Sequence, residues 1–295
     1  MREDMKQYQK AMIIGGTGFL YQAAELVEQS GRVGQIELYF CNQNGFGKNQ
    51  EYMERWNCRQ VAVKKDLMAL LEQETEETLV LSIMNPWLFT EDALRNPKLL
   101  VINLHHALLP AHRGRNAEAW AIYEGDEKAG VTWHKVDAGI DTGGIYLQKE
   151  VAIDDRATAL KLLSQLNEAA LEGLKELLQG EFLEKPPISQ MPDGNGRPPH
   201  LSKDIPNGGW LDLSWDLGQM SRFLRAMDYG VINVFGKPKV RLADGVYAWK
   251  AWKMPQAEEG KPEGVEFCPE ERELHIRKAG KEIILRKMMK MEDEA

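Results

Sequence analysis

The stretch AMIIGGTGFLYQAAELVEQSGRVGQIELYF, residues 11–40, starts with a short apolar run at Ala11–Ile14, passes through a cluster of glycines and ends in a second run at Ile36–Phe40. Between the two runs, Ala23, Ala24, Leu26 and Val27 recur at helical spacing, so the stretch reads as strand, helix, strand. The alternation continues with a strand over Gln60–Val63, a helix around Leu67–Leu71 and strands over Leu79–Ile83 and Leu99–Leu104. Strands alternating with helices predict a sheet whose strands are mostly parallel and whose two faces are both covered. The expected fold class is therefore α/β, with a Rossmann-like sheet in the N-terminal part.

Further along, Val131–Val136 and Gly144–Val151 read as two more strands, and Ala157–Leu178 as a long amphipathic helix. Residues 181–210 hold six of the chain's thirteen prolines and predict an extended linker. Beyond it come a helix over Leu217–Met227 and short strands near Lys239–Leu242, Tyr247–Met254, Gly264–Phe267, Glu273–Arg277 and Glu282–Lys287. Short strands broken by Gly and Pro predict a small β-barrel-like domain of the OB type. The expected boundaries are 1–180 for a catalytic domain, 181–210 for the linker and 211–295 for the small domain.

With 295 residues the chain can bury a sizeable core. It has no apolar stretch of the roughly 20 residues that a membrane helix needs, and its start lacks the pattern of a signal peptide. Three widely spaced cysteines, Cys41, Cys58 and Cys268, argue against a disulfide framework. The expectation is a soluble cytoplasmic protein. Net charge is −8, yet from residue 200 onward 16 basic residues balance 16 acidic ones, so neither half carries the basic excess of a nucleic-acid binder.

GGTGF at 15–19 has the setting of a dinucleotide loop, but Tyr21 stands at the third glycine position and no acid closes the next strand. It reads as a tight strand-to-helix turn. NLHHALLPAHRG, residues 103–114, is more informative. His105 and His106 are adjacent at a strand end and point to opposite sides, which is unsuited to sharing one ion, so no metal is expected. Asn103 and His105, two apart, share a face and place an amide donor beside a titratable imidazole. These are the parts needed to stabilise an oxyanion and move a proton in acyl transfer. A carboxylate to orient the imidazole is offered by VDAGIDTGG at 136–144, where spacing alone leaves Asp137 and Asp141 both open.

Asn103-x-His105, LLP at 108–110, Arg113-Gly114, Gly130-Val131-Thr132 and Asp137-x-Gly139-x-Asp141-x-Gly143 together resemble the signature of the 10-formyltetrahydrofolate-dependent formyltransferases. SRFLRAMDYG at 221–230 and the small C-terminal domain are similar to the tRNA- and sugar-directed members. The resemblance implies that Asn103, His105 and Asp141 are catalytic and that 10-formyltetrahydrofolate is the co-substrate, with no metal. It implies a folate site formed by Trp87, Leu88 and Phe89 together with Val136, Asp137, Gly139 and Asp141. It also places the loop after the fifth strand at the acceptor pocket, with Leu109, Pro110, Arg113 and Gly114 as substrate-binding candidates. His106, Arg115, Asn116 and Glu118 depart from the usual small residues there and become candidates for acceptor choice. The alternative for Asn116 is a helix cap.

The balanced charge disfavours tRNA as partner and favours a small or carrier-tethered amine, such as an amino sugar nucleotide or an aminoacyl group. Methionyl-tRNA formyltransferase is the alternative within the family. A non-catalytic folate- or ligand-binding module is the alternative outside it.

Overall fold

The computed structural model describes residues 5–42, 46–47, 49–191, 197–256 and 261–291. The chain divides into two units, each drawn from three segments. The first comprises Met1–Arg115, Ala129–Ala152 and Gln165–His200, and the second Asn116–Lys128, Ile153–Ser164 and Leu201–Ala295.

The first unit is built on β1 (Tyr8–Gly15), β2 (Val33–Phe40), β3 (Asn57–Gln60), β4 (Thr78–Ile83), β5 (Leu99–His105), β6 (Lys128–Lys135) and β7 (Ile145–Ala152). They form one sheet in the order β3-β2-β1-β4-β5-β6-β7. The pairs from β3 through β5 are parallel, and β6 runs antiparallel to β5. All six residues of β4, TLVLSI, are buried, as expected of a central strand covered on both faces. The helices of this part are α1 (Phe19–Ser30), α2 (Gln50–Arg55), α3 (Lys64–Glu72) and α4 (Glu91–Leu94). Leu67, Met68 and Leu71 of α3 complete a core with Met12, Ile14, Tyr39, Val80 and Val101 of the strands.

Strand order reverses between β1 and β4, and the chain passes closely there. A Cβ on Gly15 would lie 1.9 Å from the Ile83 carbonyl oxygen, so only glycine fits at that end of β1. One expectation shifts: the strand placed at 60–63 lies at Asn57–Gln60 instead. It is an edge strand with mostly exposed polar residues, and the apolar Val61 that drew the reading lies just past its end.

The second unit contains α5 (Ala117–Glu124), the first residues of α6 (Ala159–Gln179) and α7 (Leu217–Ala226). The Asp216 side chain caps α7 by accepting from the Gln219 N–H at 2.8 Å. The helix buries Leu217, Met220, Phe223 and Leu224 along one stripe.

Two small sheets follow. One has the order β14-β9-β8, made of β8 (Lys239–Leu242), β9 (Gly245–Ala248) and β14 (Met289–Lys290). The other has the order β10-β13-β12-β11, made of β10 (Ala251–Lys253), β11 (Gly264–Cys268), β12 (Glu273–Lys278) and β13 (Lys281–Arg286). The strand pairs within both are antiparallel. The single strand expected at 247–254 is two strands, because the chain leaves one sheet at Ala248 and enters the other at Ala251. Among the described residues no helix is long and apolar enough to cross a membrane.

Candidate active site

The carboxyl ends of β4 and β5, with the start of the loop after β6, gather the polar side chains of the first unit. Ser82, Asn103 and His134 are register partners on three neighbouring strands, β4, β5 and β6. They form a row on one face of the sheet. The Ser82 hydroxyl donates to Asn103 Oδ1 at 2.8 Å, and Asn103 Nδ2 lies 3.1 Å from His134 Nε2. His134 Nδ1 lies 2.9 Å from the Lys135 carbonyl. With its proton on Nδ1, the uncharged ring presents Nε2 as the acceptor for Asn103. The amide is thereby fixed, with its oxygen turned to Ser82 and one of its two N–H bonds given to His134. Among the described residues, one N–H of the half-buried Asn103 remains for another acceptor.

His105, two residues further along β5, is buried on the same face. Its Nε2 donates to the His112 carbonyl at 2.9 Å, and its Nδ1 lies 3.4 Å from Asp141 Oδ2. Burial pulls the imidazole pKa below its ordinary value, against the upward pull of the Asp141 charge and the His112 carbonyl. Asp141 sits in the left-handed region at φ 53°. Its Oδ2 accepts from the Gly114 N–H at 2.8 Å, and its Oδ1 lies 3.5 Å from His134 Nε2. Burial works against the ionised carboxylate, but His105 foremost, with the Gly114 N–H, outweighs it and holds its pKa down to about 2. Asp141 is thus a buried anion facing the His105 Nδ1, placed to stabilise a second proton taken up there. Asp137, the other carboxylate left open by spacing, accepts from Gly139 N–H and Thr142 Oγ1 and closes its own turn.

The remaining candidates fall into distinct settings. In the loop after β4, Asn85 bonds both the N–H and the carbonyl of Trp87, while Trp87 and Phe89, like Val136, pack against the core. Leu88 between them is 60% exposed. Arg115 reaches the same loop, donating to the Pro86 carbonyl at 2.9 Å.

Leu109 is buried, with its N–H bonded to Thr132 Oγ1 at 3.1 Å and its carbonyl accepting from Gln148 Nε2 at 3.0 Å; the bond to Pro110 is cis. Arg113 donates to the Arg197 carbonyl. Gly114 has φ +95°, and a Cβ there would lie 2.1 Å from the His200 carbonyl oxygen, so side-chain-free backbone is required where this loop presents its N–H to Asp141. His106 points to the other face of β5, where its Nε2 lies 3.0 Å from Asn167 Oδ1, and burial pushes its pKa down to about 4.

Asn116 and Glu118 lie in the second unit. Asn116 precedes α5 in a left-handed conformation, with no side-chain cap bond. Glu118 is buried in the first turn of α5 and accepts from the Tyr229 hydroxyl at 2.5 Å.

The sequence reading gave no role to His134, Ser82 or Gln190, whose side-chain amide reaches the carbonyls of Asp141 and Gly143. A signal for His134 was present: Thr132 and His134 alternate along the expected strand at 131–136, which places both on one face. Nothing in the sequence pairs that strand with β5 in a given register.

Residues 35–178 match the formyl transferase family. A GDP-perosamine N-formyltransferase from Brucella melitensis is 33% identical over 141 residues, covering 46% of this chain and 53% of that protein. A methionyl-tRNA formyltransferase from Synechococcus sp. is 42% identical over 104 residues, 35% of this chain and 32% of the relative. The matches thus span about half and about a third of those curated relatives. Among solved structures, the N-formyltransferase from Helicobacter canadensis, in complex with folinic acid and dTDP-3-aminofucose, matches with a TM-score of 0.69. It is 17% identical and covers 94% of this chain and 98% of its own. HypX from Aquifex aeolicus, in complex with tetrahydrofolic acid, matches with a TM-score of 0.63 at 15% identity, over 98% of this chain and 45% of its own. At those identities the structures show a shared fold.

Proposed function

We propose, from the match of residues 35–178 to the formyl transferase family, that this chain is a member of it and moves a formyl group from 10-formyltetrahydrofolate to the primary amine of a sugar nucleotide. The observation that carries the reading is the convergence of Asn103, His105 and Asp141, with one amide N–H of Asn103 left unspent and an anion held beside the imidazole. The donor supplies a formyl carbon bound to a nitrogen that leaves as a secondary amine, so the net transfer moves one proton from the attacking amine to that nitrogen.

Asn103 Nδ2 donates its remaining N–H to the carbonyl oxygen as negative charge develops there. Because Ser82 and His134 fix the amide beforehand, little reorganisation is needed at that moment. His105, uncharged in its buried setting, takes up the ammonium proton, and Asp141 stabilises the imidazolium that results. The proton then passes to the departing nitrogen. No step in this sequence calls on a metal ion.

The residues suit a flat heteroaromatic donor. Trp87, Phe89 and Val136 supply apolar packing at the loop after β4, and the exposed Leu88 makes no backbone hydrogen bond among the described residues. Such an edge can accept an amide-like ring by its backbone groups. The sugar nucleotide is favoured over an aminoacyl group because the Brucella relative acts on GDP-perosamine by its name and the Helicobacter structure holds dTDP-3-aminofucose. The similarity to methionyl-tRNA formyltransferases keeps tRNA as the second reading. We also read the small sheets of the second unit as an OB-type barrel, because the stretches 245–253 and 281–290 each contribute strands to both sheets.

The test follows tetrahydrofolate release from 10-formyltetrahydrofolate with GDP- and dTDP-linked amino sugars and with methionyl-tRNA. Turnover with an amino sugar nucleotide, lost in Asn103→Ala, is expected. Turnover with methionyl-tRNA alone would establish the second reading, and none with any amine would leave a folate-binding module.

A further inference from the structure

The geometry points to Ile188, Gln190 and His200, which composition marks as part of a linker, as working parts of the catalytic site, with Gln190 as the positioning residue for Asp141. This rests on the reading of Asn103, His105 and Asp141 as formyl-transfer machinery. The three residues belong to the first unit and are fastened to it on both sides of the Asp141 carboxylate.

On one side, Ile188 and Ile145 exchange two backbone hydrogen bonds, of 2.7 and 2.8 Å. Two residues later the Gln190 amide donates to the Asp141 carbonyl at 2.9 Å and to the Gly143 carbonyl at 2.7 Å. Both hydrogens of that amide are thereby committed to the turn that carries Asp141. On the other side, the His200 N–H donates to the Arg113 carbonyl at 2.8 Å, and the Arg115 N–H donates to the His200 carbonyl at 2.8 Å. These two bonds bracket Gly114, whose own N–H donates to Asp141 Oδ2 at 2.8 Å. Ile188 and Gln190 thus hold the backbone beneath the carboxylate, and His200 holds the stretch whose amide touches its oxygen.

The turn needs such a hold. A non-glycine residue in the left-handed region is strained by about 1 kcal/mol and persists only where its surroundings enforce it, and Asp141 is at φ 53°. The contact it must preserve is 3.4 Å to His105 Nδ1, already at the long end for a charge-assisted hydrogen bond. A displacement of a few tenths of an ångström releases the imidazole. Gln190 touches no reacting atom and acts only through Asp141.

Three variants separate donation from shape. Gln190→Ala removes the donor, Gln190→Glu keeps the shape but turns an acceptor toward two carbonyls, and Gln190→Lys restores a donor. Two readouts are taken: the turnover number and KM of formyl transfer, and the NMR titration of the His105 imidazole in the free protein, which needs no substrate. The titratable residues facing His105 are Asp141, His134 and His112, and among them Asp141 is the one that raises its proton affinity.

Loss of the Asp141 position is expected to lower the His105 midpoint by about half a pH unit or more in the Ala and Glu variants. The turnover number should drop about 10- to 100-fold, with a KM change below about threefold. The Lys variant should recover most of both, and each variant's melting temperature reports whether it folds. Wild-type titration and turnover in Gln190→Glu would overturn the proposal, because shape alone would then suffice. If the wild-type protein transfers no formyl group to any amine, the formyl-transfer reading fails, while the titration still decides whether Gln190 positions Asp141.

Discussion

Asp141 in the first unit and Glu118 in the second are both carboxylates enclosed by protein, and their pKa values are moved in opposite directions. Asp141 receives the Gly114 N–H and faces two imidazoles, and its pKa is held down to about 2. Glu118 accepts from the Tyr229 hydroxyl and its own backbone N–H, neither of them charged, and burial pushes its pKa above the usual carboxylate value. Burial opposes ionisation at both sites, so the number and charge of the neighbouring donors decides the outcome. Ionisation is favoured beside the two imidazoles, and disfavoured where the carboxyl joins α5 to Tyr229.

The contrast breaks most sharply at Asp141→Asn. The amide oxygen can still accept from Gly114, so the turn keeps its shape, but the charge that stabilises a protonated His105 is gone. Formyl-transfer kcat/KM is expected to fall about 1,000-fold, and because the folded-state pKa of Asp141 lies below its unfolded value, the variant is also expected to melt below wild type at neutral pH, the difference closing toward acid. Steady-state kinetics with 10-formyltetrahydrofolate and the amino sugar acceptor check it. Retention of more than about a tenth of the activity would remove Asp141 from the mechanism.

A smaller effect is expected at His134, which orients Asn103 from the neighbouring strand. His134→Leu leaves the Asn103 amide without its acceptor, free to rotate, and should lower kcat about 10- to 100-fold with little change in donor KM. His134→Gln can present an amide oxygen at the same end and should recover much of the loss. Equal damage in both variants would show that the imidazole does more than accept this bond.

These two residues also mark where the sequence ceased to be legible. Strand and helix alternation over residues 11–104 announced the mostly parallel sheet, because a β-strand covered on both faces, like TLVLSI in β4, is buried and largely apolar along its length. The pairing of Asn103 with His105 followed from the two-residue period of one strand. The row Ser82–Asn103–His134 did not, since it depends on the antiparallel register of β6 against β5, which no local pattern specifies. Asp141 required the family resemblance, because its approach to His105 is made by a left-handed turn and by a segment about fifty residues further on. Glu118 looked like a loop residue at an acceptor pocket. It lies in α5, AEAWAIYE, whose apolar residues run nearly all round, so periodicity gives no hint of which side its one early acid occupies.

Glu118→Gln is the mildest break and tests the other half of the contrast. Glutamine keeps the acceptor for the Tyr229 hydroxyl and removes the group that resists ionisation. The sign follows from the direction of the shift: a carboxyl whose folded pKa lies above its unfolded value binds its proton more tightly when folded. Its contribution to stability is therefore fully present below the unfolded value, near 4.5, and is lost as pH rises through the higher folded value. The wild-type protein carries that loss at neutral pH and the variant does not. Thermal unfolding across pH 4 to 8 should show Glu118→Gln gaining stability relative to wild type as pH rises from about 4.5, the difference closing again toward acid. A variant less stable than wild type at pH 7.5, with no such trend, would mean that the ionised carboxylate is satisfied there as Asp141 is, and that the two sites are alike.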